Sequence, residues 1–381
     1  MSKPQVEALL ARHAAAPQVS TREYVETLVA ELGASIAGRH KLYLDTRYWI
    51  HLRDAAMGRS VHPAHSEILD LIRSLVSTGV AICPVSDVAW MELSKQRDPE
   101  TRLATADVLD ELSLGVAIKS EQERVVAELE QVIMRPDLAA TPPNQGNRVW
   151  VKACYVLGIT VPMVKNWSDE QNLLFQKASV DLIWQLTHRE MAETEGSFQQ
   201  EADRLEQAAK SITDAMRRYS HEIRSIQQAF AAESAGALRA FKNAIQALIV
   251  RAFMSTASDT GSVTKEQVDV ATEQMLSGLA NAFRLRPKVM AQRVPSLYAY
   301  AMCHAAVRMD RSRKLNAHDL LDIHHASSGI PYHDAVFTEN PLRVLVTAGN
   351  IALDKTFQCA VLSKESEILD YLRRFPNAQP G

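Results

Sequence analysis

The chain has 381 residues, 46% hydrophobic and 23% charged, a composition that fits a soluble globular protein of two or three domains. A formal net charge of −3 excludes a global basic field, so any nucleic-acid contact has to come from a local patch. Cys83, Cys154, Cys303 and Cys359 lack metal-ligand spacing, and no run approaches the roughly 20 apolar residues of a membrane span, so a reduced, cytoplasmic protein away from the membrane is expected.

Ser20 and Glu23 have the spacing of a capping box, and Tyr24, Leu28 and Leu32 follow at helical intervals, which predicts a leading helix ending near 33–38. Leu42, Tyr43 and Leu44 form a buried-strand candidate that closes on Asp45, with a helix after it marked by Trp49, Ile50 and Leu52. An aspartate at the carboxyl end of an apolar strand sits where open α/β sheets place their ligands. Residues 62–77 read as an amphipathic helix and 80–83 as a second strand, and Ser86 opens a helix carrying Glu92 among Trp90, Met91 and Leu93. This alternation points to parallel pairing.

Helices are expected over 98–112 and 120–133 with a strand at 116–118 between them, and the proline-rich segment 135–147 reads as a linker. From there to about 283 the chain reads as largely helical. Ser168 with Gln171 offers a cap, 197–254 is the most extended helical signal with an interruption at Gly236, and Thr264 starts another helix. The apolar side of this region could meet a protein partner or a second copy, although packing against its own neighbours is the commoner outcome. His51, His62 and His65 read as surface helix histidines, and His304, in the apolar helix 296–309, as a core histidine. Arg284, Arg286, Lys288, Arg293, Arg308, Arg311, Arg313 and Lys314 form a basic run suited to a polyanion, though on charge alone a solvated helix face is the default.

Residues 315–340 hold Asp319, Asp322, Asp334 and Glu339 among apolar side chains. Asp319 and Asp322, three apart on a helix, share a face. Ala335, Val336 and Phe337 read as a strand with Asp334 before it and Glu339 after it. Any one of these acids alone is an ordinary solvated charge or turn residue. Together they would repel and take up protons unless a divalent cation, Mg2+ or Mn2+, offset the charge. A helix over 342–351, a strand over 359–362 and a helix over 363–373 complete the chain, and Tyr332 and His333 read as turn residues.

The pieces LYLDT with Asp45, SDVAWME with Glu92, DIHHAS with Asp322 and AVFTEN with Glu339 resemble, in this order, a PIN-domain nuclease. A PIN-like branch with D-x-x-D-x-x-H followed by P-Y-x-D is more similar still, matched by Asp319, Asp322, His325, Pro331, Tyr332 and Asp334. The resemblance implies an α/β, PIN-like three-layer fold with a central, mostly parallel sheet and a large α-helical insertion. It divides the chain into an N-terminal helical extension (1–39), a first PIN-like part (40–135), the insertion (136–289) and a second PIN-like part (290–381). It also implies a metal-dependent ribonuclease. Asp45, Glu92, Asp322 and Asp334 would be its catalytic carboxylates, with Asp319 and Glu339 as further metal ligands or partners of the ligands. Thr46, Arg47, Arg311, Arg313, Lys314, His325 and Thr338 would face the RNA. The chain departs from the family at Arg47, where Asn or Ser is usual, and at Glu339, where Asp is often found; Glu339 or Asp334 can fill the last acidic place.

Two other readings compete. A metal phosphohydrolase of HD type would use the His318–Asp319 pair with His304, His324, His325 and His333. A non-catalytic scaffold would keep the fold and bind nucleic acid or a protein through its helical segment.

Overall fold

The computed structural model describes residues 3–134, 148–194, 223–256, 264–310 and 316–375, with the single positions 207, 210 and 214. Six strands are formed there: β1 His40–Leu44, β2 Ala81–Ile82, β3 Val116–Ile118, β4 Trp150–Lys152, β5 Ala335–Phe337 and β6 Ala360–Leu362. The helices, in chain order, are α1 Lys3–Ala14, α2 Thr21–Ser35, α3 Thr46–Ala56, α4 Pro63–Ser77, α5 Asp87–Leu93, α6 Pro99–Ser113, α7 Glu121–Met134, α8 Asp169–Ile183 and α9 His188–Thr194. They continue as α10 Ile226–Ala240, α11 Lys242–Thr256, α12 Lys265–Leu285, α13 Pro287–Arg293, α14 Pro295–Met309, α15 Ala317–Gly329, α16 Asn340–Thr347, α17 Leu353–Phe357 and α18 Glu365–Leu372. No helix among the described residues is long and apolar enough to cross a membrane.

Four strands form a parallel sheet in the order β2-β1-β5-β6. Leu42, Tyr43 and Leu44 pair with Ala335, Val336 and Phe337, and these with Ala360, Val361 and Leu362. Beyond β2, Val85 bridges to Ala117 of β3, which pairs antiparallel with β4. Parallel strands are covered on both faces, which is why they read as short continuous apolar runs rather than alternating ones. Side chains still alternate between the faces. Leu42, Leu44, Ala335 and Phe337 enter one core with helices α3, α4, α6 and α18. Tyr43, Val336 and Val361 enter the other, with α7 and α10 to α16. The molecule is therefore mixed α/β, with helices on both faces of a small parallel sheet.

Several sequence expectations change here. Residues 150–152, read as part of a helical region, form β4; three residues show no periodicity, and only pairing with β3 defines them as a strand. Gly236 does not break a helix. It lies inside α10 with open space around it, and the break falls at Phe241, directly before α11. Helices α10 to α12, from the segment read as an insertion, pack in the same core as Tyr43 and Val336. The expected linker 135–147, most of the helical signal over 197–222 and the loop 258–262 lie outside the described residues. The capping boxes at Ser20, Ser168 and Thr264 are all formed.

Candidate active site

Strand direction builds the site. Because β1 and β5 run parallel and in register, both end at one edge, and the Asp45 N–H donates to the Phe337 carbonyl at 3.1 Å. Asp45 caps helix α3: one carboxylate oxygen accepts the Tyr48 N–H at 3.1 Å, and the other accepts the Glu339 N–H at 3.1 Å. The residue is only 5% exposed. Burial lifts its pKa above the ordinary carboxylate value, against the opposing pull of His325, the Thr338 hydroxyl and the Tyr48 N–H.

Asp322 projects from α15 toward the same edge. It has no hydrogen-bond or ion-pair partner among the described residues, and burial pushes its pKa up to about 6. His325 opposes that rise, while Asp45, Asp319 and Glu339 add to it, so these three carboxylates lie within electrostatic reach of Asp322. A largely buried carboxylate with no donor and three acidic neighbours is held in an unfavourable ionised form.

Glu92, on α5, joins through a different route. One of its oxygens accepts the Thr46 hydroxyl and the His325 Nε2–H, the latter at 3.0 Å. Burial works to raise the Glu92 pKa, but the His325 and Thr46 contacts outweigh it and leave the group below its ordinary value. His325 is 4% exposed. Burial disfavours its charged form, yet Glu92, Asp45 and Asp322 prevail and raise its pKa, so three carboxylates favour the charged ring in a buried place. Its Nδ1 is 2.6 Å from the Tyr43 hydroxyl, which is 2.8 Å from Ser86 Oγ. With both ring nitrogens protonated, Nδ1–H donates to Tyr43 and Tyr43 donates to Ser86.

The hydrogen-bonded chain Ser86–Tyr43–His325 has no motif in the sequence, since its contacts join residues 43 and 282 positions apart. The one signal is that Tyr43, at the centre of an apolar strand, has a hydroxyl that must find a partner. Gly329 admits the contact. A Cβ there would stand 2.9 Å from Tyr43 Cγ, so only glycine lets α15 come this close to β1.

The remaining predicted residues divide. Asp334 does not join the site. It precedes β5, at the opposite end of the strands, where its carboxylate accepts the Lys41 N–H at 2.7 Å; the three residues of β5 stand between it and the Asp45 end, a rise of about 13 Å. Asp319 is the third helical residue of a capping box with Asn316, accepting the Asn316 N–H at 3.0 Å. Glu339 lies half-exposed at the rim, 3.7 Å from Arg47, whose Nε–H also donates to His51 at 3.0 Å. His325 and Thr338 are buried and turned inward, so they support the acids instead of facing a substrate. Arg311, Arg313 and Lys314 lie outside the described residues.

The histidines of the HD-type reading engage separate partners: His324 pairs with Glu121, His325 with Glu92, and His333 with the Gly329 carbonyl. Tyr332 lies in the turn after α15 and His333 follows it, but both side chains have partners inside the protein. Tyr332 donates to buried Glu128, and His333 sits against the rings of Tyr43 and Trp150. His65 is likewise buried, stacked on His51 at 4.1 Å.

The oxygen-only donors Asp45 and Asp322, both disfavoured as bare anions, fit a hard divalent cation such as Mg2+ or Mn2+. Among the described residues no three His, Cys, Asp or Glu side chains are arranged as a preformed cage. No family model, curated protein or solved structure matches the chain.

Proposed function

We propose that this protein is a divalent-metal-dependent nuclease of PIN-like architecture that hydrolyses phosphodiester bonds, with RNA as its substrate. The observation that carries the reading is the convergence of Asp45 and Asp322, from segments far apart in sequence, with Asp319 and Glu339 in electrostatic reach and no donor for Asp322. The strand order β2-β1-β5-β6 with β3 beyond β2 supports it, because it places the ends of β1 and β5 side by side at the centre of the sheet.

Asp45 and Asp322 would hold the ion, with Asp319 and Glu339 at its margin. Once bound, such an ion acidifies a coordinated water and offsets charge on a phosphate oxygen. The chain's own residues then have distinct tasks. Backbone N–H groups of Tyr48 and Glu339 fix the Asp45 carboxylate in one orientation. The Ser86–Tyr43–His325 chain holds Glu92 beside the acids. Arg47, half-exposed at the rim, steers the phosphodiester by charge and hydrogen bonding.

The test is incubation of the purified protein with labelled RNA and Mn2+, with and without EDTA, beside Asp45→Asn and Asp322→Asn variants. Cleavage that requires Mn2+ and disappears in both variants supports the reading; activity surviving in the double variant sinks it. One observation favours a second reading, a non-catalytic scaffold. The imidazolium of His325 already offsets charge on Glu92, Asp45 and Asp322 from within. RNA binding without cleavage under any metal would select it.

A further inference from the structure

Away from the acidic site, a groove of about 850 Å³ runs between α2, α7 and the segment after β4. Such a volume is within the range of small-molecule sites. One wall is apolar, formed by Val25, Val29 and Val126, and Lys119 and Glu123 stand in it. Lys119 follows β3. Its backbone is pinned on both sides, its N–H donating to the Val149 carbonyl at 2.8 Å and its own carbonyl accepting Arg124 at 2.6 Å.

The charges around Lys119 are unequally satisfied. Glu26 is held by Arg22 at 2.6 Å, and Glu130 by Arg22 and Arg251 at 2.8 and 2.6 Å. The Lys119 ammonium, by contrast, has no hydrogen-bond or ion-pair partner among the described residues. Burial lowers its pKa, and only the longer-range attraction of Glu123, Glu26 and Glu130 counters that. Glu123 is complementary. One oxygen accepts the Ile159 N–H at 2.6 Å, aided by Gly158 at φ +124, while the other is buried with no partner. Burial raises the Glu123 pKa, with the Ile159 N–H and Lys119 opposing the rise.

A half-buried cation with no partner among the described residues, set in a groove beside an apolar wall, describes a place for an anionic ligand. We propose that this groove binds a small amphipathic anion, a carboxylate or phosphate monoester on an apolar body, with its oxyanion on Lys119 and its body along the valines. The site is independent of the nuclease reading.

Isothermal titration calorimetry of the full chain with octanoate, octyl phosphate and neutral octanol tests it. Saturable binding of one or both anions is expected, with octanol at least tenfold weaker, and Lys119→Met should weaken the anions at least tenfold. Ala127→Trp, which fills the groove from the α7 side and leaves Lys119 in place, should abolish binding and decides the matter if Lys119→Met does not fold. Octanol binding as tightly as the anions, unchanged anion binding in the variants, or no saturable binding to the wild-type chain would overturn the proposal. The stronger of the two anions shows whether the headgroup is a carboxylate or a phosphate.

Discussion

The Glu339 backbone N–H donates to the Asp45 carboxylate at 3.1 Å across 294 residues of sequence. That single bond ties the end of β1 to the end of β5. It fixes the carboxylate of one acid by means of the backbone of another.

The pH dependence of Asp322 follows from its raised pKa. Its folded value of about 6 lies above the ordinary aspartate value of 3.8, so its ionisation costs stability. The cost is absent below about pH 4, grows as pH rises toward 6, and is complete above that. Asp322→Asn is expected to be more stable than the wild type at pH 7.5 in EDTA, by up to about 3 kcal/mol and with a higher melting temperature, and to match it at pH 4. Equal melting temperatures at pH 7.5 would show that the carboxylate is not destabilised.

Divalent metal should offset the same cost. Mn2+ is expected to raise the wild-type melting temperature at pH 7.5, with reversal by EDTA, and to do so less at pH 5, where Asp322 is largely protonated. Asp45→Asn should lose the Mn2+ response. A response that persists undiminished in Asp45→Asn places the ion elsewhere.

His325→Ala is expected to destabilise the fold by about 3 kcal/mol in urea titrations, because it strips Glu92 of its buried cation. The raised His325 pKa gives this pair a sign: its stabilisation is full below the unfolded histidine value near 6.5 and is lost as pH rises through the folded value. The stability gap between wild type and His325→Ala should therefore narrow at high pH. A gap that widens with pH contradicts a charged His325.

Gly329→Ala sets two effects against each other. Alanine gains about 1 kcal/mol of helix propensity, but its Cβ would enter the 2.9 Å approach to the Tyr43 ring, and overpacking costs roughly 1–3 kcal/mol. Because Tyr43 is fully buried and cannot swing away, net destabilisation is expected. A stabilised variant would mean that α15 can move off β1.

Asp334→Asn should separate the two ends of the strands. Cleavage of RNA is expected to stay within about threefold of wild type, with a stability loss near 1 kcal/mol from the weakened Lys41 bond. Loss of activity equal to that of Asp45→Asn would return Asp334 to the active site.

Much of the site was legible in sequence because its parts are local. The apolar run ending on Asp45, the 319–322–325 spacing on one helix and the cap at Ser86 all depend on residues a few positions apart. Parallel pairing separates Asp334 from Asp45, because an acid before a strand and an acid after its parallel neighbour lie at opposite ends of the strands. Tyr43, Ser86 and the Glu92–His325 pair offered no comparable signal, since each role is defined by a neighbour distant along the chain.

By itself the sequence determined where strands and helices begin and end across most of the described chain, and that carboxylates close the strands and line one helix, because backbone propensity and capping act over a single turn. Tertiary structure alone decided which acids meet. Strand register brought Asp45 beside Glu339, the absence of a side chain at Gly329 let α15 carry Asp322 and His325 to the same edge, and pairing with β3 made a strand of 150–152. Long-range pairing and close packing are properties of the assembled fold, and no window of neighbouring residues contains them.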